Sequence, residues 1–434
     1  MLPSTYNFFK VELIAKIKNS TFFKNGLTLS GGVALAQVLP FLFYPVLGRI
    51  YTADQFGLLA SITSIITVLS VVGSGRYEAA LVVVEERLQA AHLALLAVML
   101  GLGSMLLCEL LSLWVLPSTV GSWFKSAAVG DWLWVCPLAA FFVIVFNVYN
   151  EWCVRAARFK ALATNKIVNS GAIVLNKTLF GFVKVSSQGL VVGDLIGRFV
   201  SAAGCAVRAW LKDRDVFSQT RWAGIRSCAV DYKEYPLYNM PGRLLNSIGQ
   251  ALPVLFVAAY FGDSEAGYFS MAMALFSVPI NIVSTSVGDV YRQRAAEEYR
   301  EKGECWASFK KVMWSLTAIG VGAFLLLEWF LPSLTRLFLG GEEWRLAGVY
   351  AQIIAPAMVV MFVSNSLSGM FVVADRQRDF FFWQLYFAVT TLAAVWIGGE
   401  LLGSVKATLV LFSVLRCSAY LLSIVLTSRY AFGK

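Results

Sequence analysis

Charge is scarce along this chain. Asp, Glu, Lys and Arg together make up 14% of the 434 residues, against 58% hydrophobic, and no water-soluble surface can be assembled from so small a polar remainder. Histidine is nearly missing, with His92 the sole example, and the seven cysteines (Cys108, Cys136, Cys153, Cys205, Cys228, Cys305 and Cys417) show no CxxC spacing. Those shortages argue against a zinc site and a disulfide framework, so no cofactor is expected beyond a coupling ion. Nor does the chain contain the alternation of polar and apolar positions over about ten residues that a transmembrane barrel requires. Open sheets would leave backbone groups unsatisfied in lipid, so the expected fold class is all-α.

Apolar runs, by contrast, are abundant. A crossing takes roughly 17 to 25 mostly apolar residues. By that measure helices are predicted at Gly26 to Gly48, Phe56 to Gly75, Ala91 to Leu116, Trp132 to Asn150, Ile167 to Val183 and Leu190 to Val207. Six more are predicted at Leu237 to Phe261, Gly267 to Gly288, Val312 to Leu334, Gly348 to Val373, Phe380 to Gly399 and Ala407 to Ser428. The fifth and sixth carry the weakest signal. Residues 1–25 are amphipathic and lysine-bearing, with no signal-peptide cleavage site, so the first span is expected to be retained. The expectation is a polytopic membrane protein of about 12 transmembrane helices.

Basic residues sort by loop. One side of the predicted membrane receives 26 Lys and Arg, and the other receives six: Arg49, Lys125, Lys184, Arg336, Arg345 and Lys406. Positively charged loops stay cytoplasmic, so both termini are expected there, as an even number of crossings requires. The net charge of +10 is mostly this topological signal and an affinity for the anionic headgroups of membrane lipids, rather than for nucleic acid.

The chain also repeats itself. Gln37, Pro40 and Phe43 in the first span match Gln250, Pro253 and Phe256 in the seventh; Glu109 and Pro117 match Glu328 and Pro332; Pro137 matches Pro356; Ala157 and Arg158 match Asp375 and Arg376. These correspondences keep one membrane orientation, which predicts two parallel six-helix lobes, 26–207 and 236–434, joined by a basic cytoplasmic linker, 208–235. Parallel repeats of this kind mark secondary transporters, whose substrate sites lie where the halves meet.

Four cations fall inside spans, where each costs roughly 2.5 to 3.5 kcal/mol at the bilayer centre. Lys177 is placed near the middle of the fifth, Arg198 in the sixth, Arg243 in the seventh close to the cytoplasmic boundary, and Arg416 in the twelfth. Lys177 and Arg198 are expected to face an interior, water-filled cavity, whereas Arg243 is equally compatible with snorkelling. Asp194 precedes Arg198 by four residues and shares its helical face, a pairing as readily structural as functional. Embedded cations outnumber embedded acids, which points to an anionic cargo. Pro40, Pro45, Pro253, Pro279 and Pro356 lie inside spans, where a missing backbone hydrogen bond permits a hinge.

Several stretches carry a family resemblance. They are Leu47 to Leu59 (LGRIYTADQFGLL), Arg76 to Val82 (RYEAALV), Tyr232 to Tyr238 (YKEYPLY), Gln250 to Pro253, Phe261-Gly262, Ala266 to Tyr268, Pro279, Val290 to Ala296 (VYRQRAA), Gly340 to Trp344 (GGEEW) and Ala355-Pro356. Together they resemble the bacterial polysaccharide or O-antigen flippases of the multidrug/oligosaccharidyl-lipid/polysaccharide exporter superfamily, over nearly the full length. The resemblance implies a non-enzymatic carrier in the bacterial inner membrane that moves an undecaprenyl-pyrophosphate-linked oligosaccharide to the periplasmic leaflet by alternating access. A proton or sodium gradient would drive it, and polysaccharide polymerase or assembly proteins would be its partners. On that reading Arg76 makes first contact with the diphosphate, Glu78 holds Arg76 or exchanges a proton, Lys177 and Arg198 receive the diphosphate deeper, Arg243 also binds substrate, and Asp194 couples or gates. The Lys177, Arg198 and Arg243 assignments come from position in this sequence, not from a shared motif. A multidrug or organic-ion antiporter of the same superfamily is the alternative, and it would favour an embedded carboxylate away from lysine and arginine.

Overall fold

The computed structural model describes residues 21–114, 127–183 and 188–433. Most of the amphipathic N-terminal segment, together with Pro117, Lys125, Lys184 and Lys434, lies outside them. No strand occurs among the described residues, which form twelve long helices: α1 (Thr21–Ile50), α2 (Ala53–Gly73), α3 (Arg87–Trp114), α4 (Val135–Arg155), α5 (Phe159–Phe182), α6 (Gly189–Phe217), α7 (Met240–Phe261), α8 (Asp263–Lys302), α9 (Trp306–Leu327), α10 (Arg345–Leu367), α11 (Gln377–Ile397) and α12 (Val405–Ala431). Backbone groups bonded within each helix are what an apolar solvent demands.

Eleven of these are long and apolar enough to cross a membrane, so the chain is a multi-pass membrane protein. The exception is α5, which carries Lys160, Lys166 and Lys177 with Asn165, Asn169 and Asn176. It packs against both α1 and α6, so neighbouring helices rather than lipid meet much of its polar surface.

Helix bounds depart from the sequence expectation mainly at the end that carries the basic loops. There α8 runs on for 40 residues, about 60 Å at 1.5 Å per residue, and projects well past a hydrocarbon core of about 30 Å. Its extension is polar and laced with ion pairs, Asp289 to Arg292 at 3.0 Å and Arg294 to Glu298 at 2.8 Å. Likewise α6 continues to Phe217 through the beginning of the expected linker, and a short helix, Trp222–Asp231, follows.

Packing repeats at an interval of six helices. In the first half α1 packs on α5, α5 on α6, α2 on α4, α4 on α6 and α3 on α4; in the second α7 packs on α11, α11 on α12, α8 on α10, α10 on α12 and α9 on α10. Matching detail extends to the chain reversal after α4 and its counterpart near the end of α10. Ala157 and Asp375 adopt left-handed backbone, φ 51° and 53°. The next residue's N–H, Arg158 or Arg376, reaches five residues back to the Cys153 or Phe371 carbonyl at 2.8 Å. Both are Schellman closures built without glycine.

Contacts between the halves run through α2, which packs on α7 and α8, and through α1 on α8. At the end opposite the basic loops this contact is backbone against backbone. A Cβ on Gly57 would lie 1.8 Å from the Asp263 carbonyl oxygen, and one on Gly267 would lie 1.9 Å from that of Ala53. Trp344, fully buried, donates from Nε1 to the Gly48 carbonyl at 2.9 Å and takes Phe56 and Tyr268 edge-on at 5.4 and 6.0 Å. Arg49 donates to the carbonyls of Leu337 and Phe338, each at 3.3 Å.

At the basic end, one carboxylate ties three elements together. Asp213, fully buried at a kink in α6 (φ −130°, ψ 19°), accepts from Arg158 at 2.7 and 2.8 Å, from Arg87 at 2.8 Å and from Trp152 Nε1 at 3.1 Å. Removing an acid so placed leaves the buried Trp152 N–H without its acceptor and takes from Arg158 its bidentate carboxylate, a loss of about 1 to 3 kcal/mol. Asp213→Ala is therefore expected to lower the melting temperature of the purified protein sharply, while Asp215→Ala, at an exposed carboxylate paired only with Arg87, shifts it little.

Candidate functional site

Two cations meet one acid in the first half. Asp194 on α6 accepts from Lys177 Nζ of α5 at 2.8 Å and from Arg198 Nε, one turn along its own helix, at 2.5 Å. All three side chains are largely buried, with exposures of 6% for Asp194, 13% for Lys177 and 16% for Arg198.

The local sequence explains the meeting. Gly189, Gly193 and Gly197 recur at four-residue spacing on α6, the small-residue pattern that lets helix backbones touch in a membrane. A Cβ on Gly193 would lie 2.7 Å from the Lys177 backbone, and one on Gly197 would lie 2.4 Å from Ile173 Cα. That approach brings a lysine 17 residues from Asp194 within bonding reach. Tyr51 fixes the end of α5 by donating to the Lys177 carbonyl at 2.7 Å.

Lys177 is not near the middle of its helix. Because α5 begins at Phe159 rather than Ile167, Lys177 lies five residues from the helix end at Phe182, about 7.5 Å, on the side away from the basic loops. It turns inward to Asp194 instead of snorkelling outward.

The trio lines a cavity of about 390 Å³ between the halves, bounded by α1 (Pro40, Tyr44), α2 (Thr63), α5, α6 and α8 (Ser270). Ser170 also borders a second cavity, about 310 Å³, that leads toward the basic end past Asn169, Asn147, Asn150, Glu151 and Lys166. Together they form a polar lane through the first half. Nothing in apolar periodicity announces it; its asparagines, Asn147 and Asn150 on α4 and Asn169 on α5, are scattered in sequence.

Arg76 and Arg243 belong to a separate cluster at the basic end. Arg76, with left-handed backbone (φ 60°) just past α2, donates to Glu78 at 3.1 Å and to Asn239, beside α7, at 3.3 Å. Glu78 is buried, and its Oε2 has no partner. Arg243 is exposed near the start of α7 and feels the charge of Arg76. Leu59, at the cavity, stands about 21 Å along α2 from Gly73, so the four cations form two stations, not one site. Pro40 and Pro45 lie within α1, Pro253 within α7, Pro279 within α8 and Pro356 within α10; of these, Pro40 borders the cavity.

Arg416 lies on α12, within the second half. It falls 218 residues after Arg198, the spacing that also separates Arg158 from Arg376. Fully buried, it makes no salt bridge among the described residues; it donates to Tyr420 and to the Gly249 carbonyl at 3.2 Å each. The rings of Phe387 and Phe412 lie 4.4 and 4.8 Å from its guanidinium. Phe412, one turn before Arg416, stands where Asp194 stands before Arg198.

Residues 46–348 match the sequence pattern of the family described as polysaccharide biosynthesis protein. This chain belongs to that family. The match bears out the resemblance to polysaccharide exporters read from the sequence. The succinoglycan biosynthesis transport protein ExoT of Rhizobium meliloti (strain 1021) is 20% identical over 366 residues, 83% of this chain and 71% of its own. In fold, the chain resembles a solved structure of the lipid II flippase MurJ in an inward closed conformation, with TM-score 0.72 and 11% identity over 94% of this chain and 87% of that one. It also resembles an inward-facing multidrug resistance transporter of the MATE family in the MOP superfamily, with TM-score 0.66 and 14% identity over 94% and 95%.

The two-cation cluster makes a specific energetic demand. Asp194→Ala leaves Lys177 and Arg198 buried without a counter-ion and is expected to destabilise by about 3 to 5 kcal/mol. The triple replacement Lys177→Met, Asp194→Leu, Arg198→Met removes the charges together and is expected to recover most of that loss. Thermal unfolding of the purified variants checks both.

Proposed function

We propose that this protein is a flippase for undecaprenyl-pyrophosphate-linked oligosaccharide, an O-antigen, capsule or exopolysaccharide repeat unit, carried from the cytoplasmic to the periplasmic leaflet of the inner membrane. The observation that carries this reading is the Lys177–Asp194–Arg198 cluster on a cavity between the halves, net charge +1, reached by a polar lane from the basic end. Membership of a polysaccharide biosynthesis family supports it. The basic end is then cytoplasmic, with both termini there.

A diphosphate and its sugars cannot cross hydrocarbon unsolvated, whereas a polyprenyl tail need not leave it. Arg76 and Arg243 receive the diphosphate at the cytoplasmic mouth by charge-assisted hydrogen bonds. At the inner station the incoming phosphate oxygens replace the Asp194 carboxylate on Lys177 and Arg198. The displaced carboxylate is then free to take a proton or a sodium ion, which would link the load to a gradient. Two six-helix lobes rocking about the α1, α2, α7 and α8 contact, with bending at Pro40, Pro253, Pro279 and Pro356, would open the opposite end. Polymerase or assembly proteins would receive the product there.

Reconstitution into liposomes with a lipid-linked oligosaccharide tests the reading. Lys177→Ala and Arg198→Ala are each expected to slow headgroup movement at least tenfold while the protein stays folded; unchanged transport in both removes the inner station. Cells deprived of the protein are expected to accumulate untranslocated lipid-linked sugar. Normal sugar export combined with heightened sensitivity to organic cations would instead favour the drug-antiporter alternative.

A further inference from the structure

A third cavity, about 470 Å³, lies on the outer face of the first half, away from the polar lane. Its floor is α4 from Phe141 to Trp152 and its walls are α3 (Val98) and α6 (Ala206, Trp210). The eleven helical steps from Phe141 to Trp152 make about 16 Å, close to half of a hydrocarbon core of about 30 Å. The groove therefore spans one leaflet, the one at the basic end. A bilayer-spanning helix would need twice that length.

One polar atom interrupts its apolar lining. The Tyr149 hydroxyl is buried, and its one hydrogen-bonding neighbour among the described residues is the Cys153 thiol, a weak partner that an ester carbonyl would outcompete. Tyr149 lies about 9 Å below the α4 end at Arg155, about one turn inside the basic-end rim of the groove at Trp152. Beyond it, along α6, come Arg208, whose Nε donates to the Gly204 carbonyl at 2.8 Å, exposed Lys212, and Arg214, 5.4 Å over the Trp210 ring. None of these three makes a salt bridge among the described residues, whereas nearby Asp213 and Asp215 are held by Arg87 and Arg158. The mouth of the groove is thus positive.

We infer that this groove binds one ester-linked anionic phospholipid of the leaflet at the basic end. An acyl chain lies between α3 and α6, Tyr149 donates to an ester carbonyl, and the phosphate sits against Arg208, Lys212 and Arg214. A bound lipid would brace α6 where it kinks at Asp213.

Native mass spectrometry of the delipidated full-length protein tests this, using phosphatidylglycerol, phosphatidylcholine and ether-linked phosphatidylglycerol with the same chains. The wild type is expected to retain one phosphatidylglycerol at least tenfold more tightly than phosphatidylcholine, and the ester form over the ether form. Ala206→Phe, which fills the groove from its exposed rim, is expected to lose that molecule; Val98→Trp is a second block should the first fail to fold. Tyr149→Phe is expected to erase the ester preference, and Lys212→Ala with Arg214→Ala the headgroup preference. Equal retention of all three lipids by the wild type means bulk lipid only and overturns the proposal, as does retention unchanged by a folded blocking variant.

Discussion

Two basic side chains share the interior of this apolar bundle because one carboxylate stands between them. Withdrawing an ion from water costs several kcal/mol even after relaxation, and the attraction of a partner offsets this only when the geometry is close. Asp194 meets that condition twice, at 2.8 Å to Lys177 and 2.5 Å to Arg198. Other features of the first half serve this contact. The glycine series on α6 permits the approach, Tyr51 anchors the end of α5, and α5 forgoes the apolar character of the other eleven helices.

The second half solves the same problem differently. Arg416, at the equivalent spacing, is held by two aromatic faces, a phenol and a peptide carbonyl, none of which an incoming anion could displace as it could a carboxylate. Backbone architecture is therefore duplicated while electrostatics are not. The repeated scaffold thus carries two ion-paired cations in one half and a single cation caged by aromatic rings in the other.

Length and apolarity made the helices legible, because lipid leaves a backbone few choices. Among the described residues, Arg49, Arg336 and Arg345 lie at the opposite end of the helices from Arg76, Arg158 and Arg376. The Asp194 to Arg198 pair was legible because it sits within one helix turn. Lys177 joining it was not, since that depends on how α5 and α6 cross; only the Gly189, Gly193, Gly197 series hinted at the crossing. Asp213 escaped notice for a related reason. It lies among the charges of an apparent linker, and its partners Arg87, Trp152 and Arg158 come from elements far apart in sequence. Composition can count ions, but it does not say which of them fold inward.

At the end away from the basic loops, α2 and α8 touch through bare main chain at Gly57 and Gly267. Were these helices to separate, the newly wetted rim would bring the Ala53 and Asp263 carbonyls into water beside the rings of Phe56, Tyr268 and Trp344. Such a rim offers acceptors to any hydroxyl-rich solute regardless of its particular stereochemistry. Under the proposed function, a doorway of that make would admit varied sugars without having to recognise any one of them.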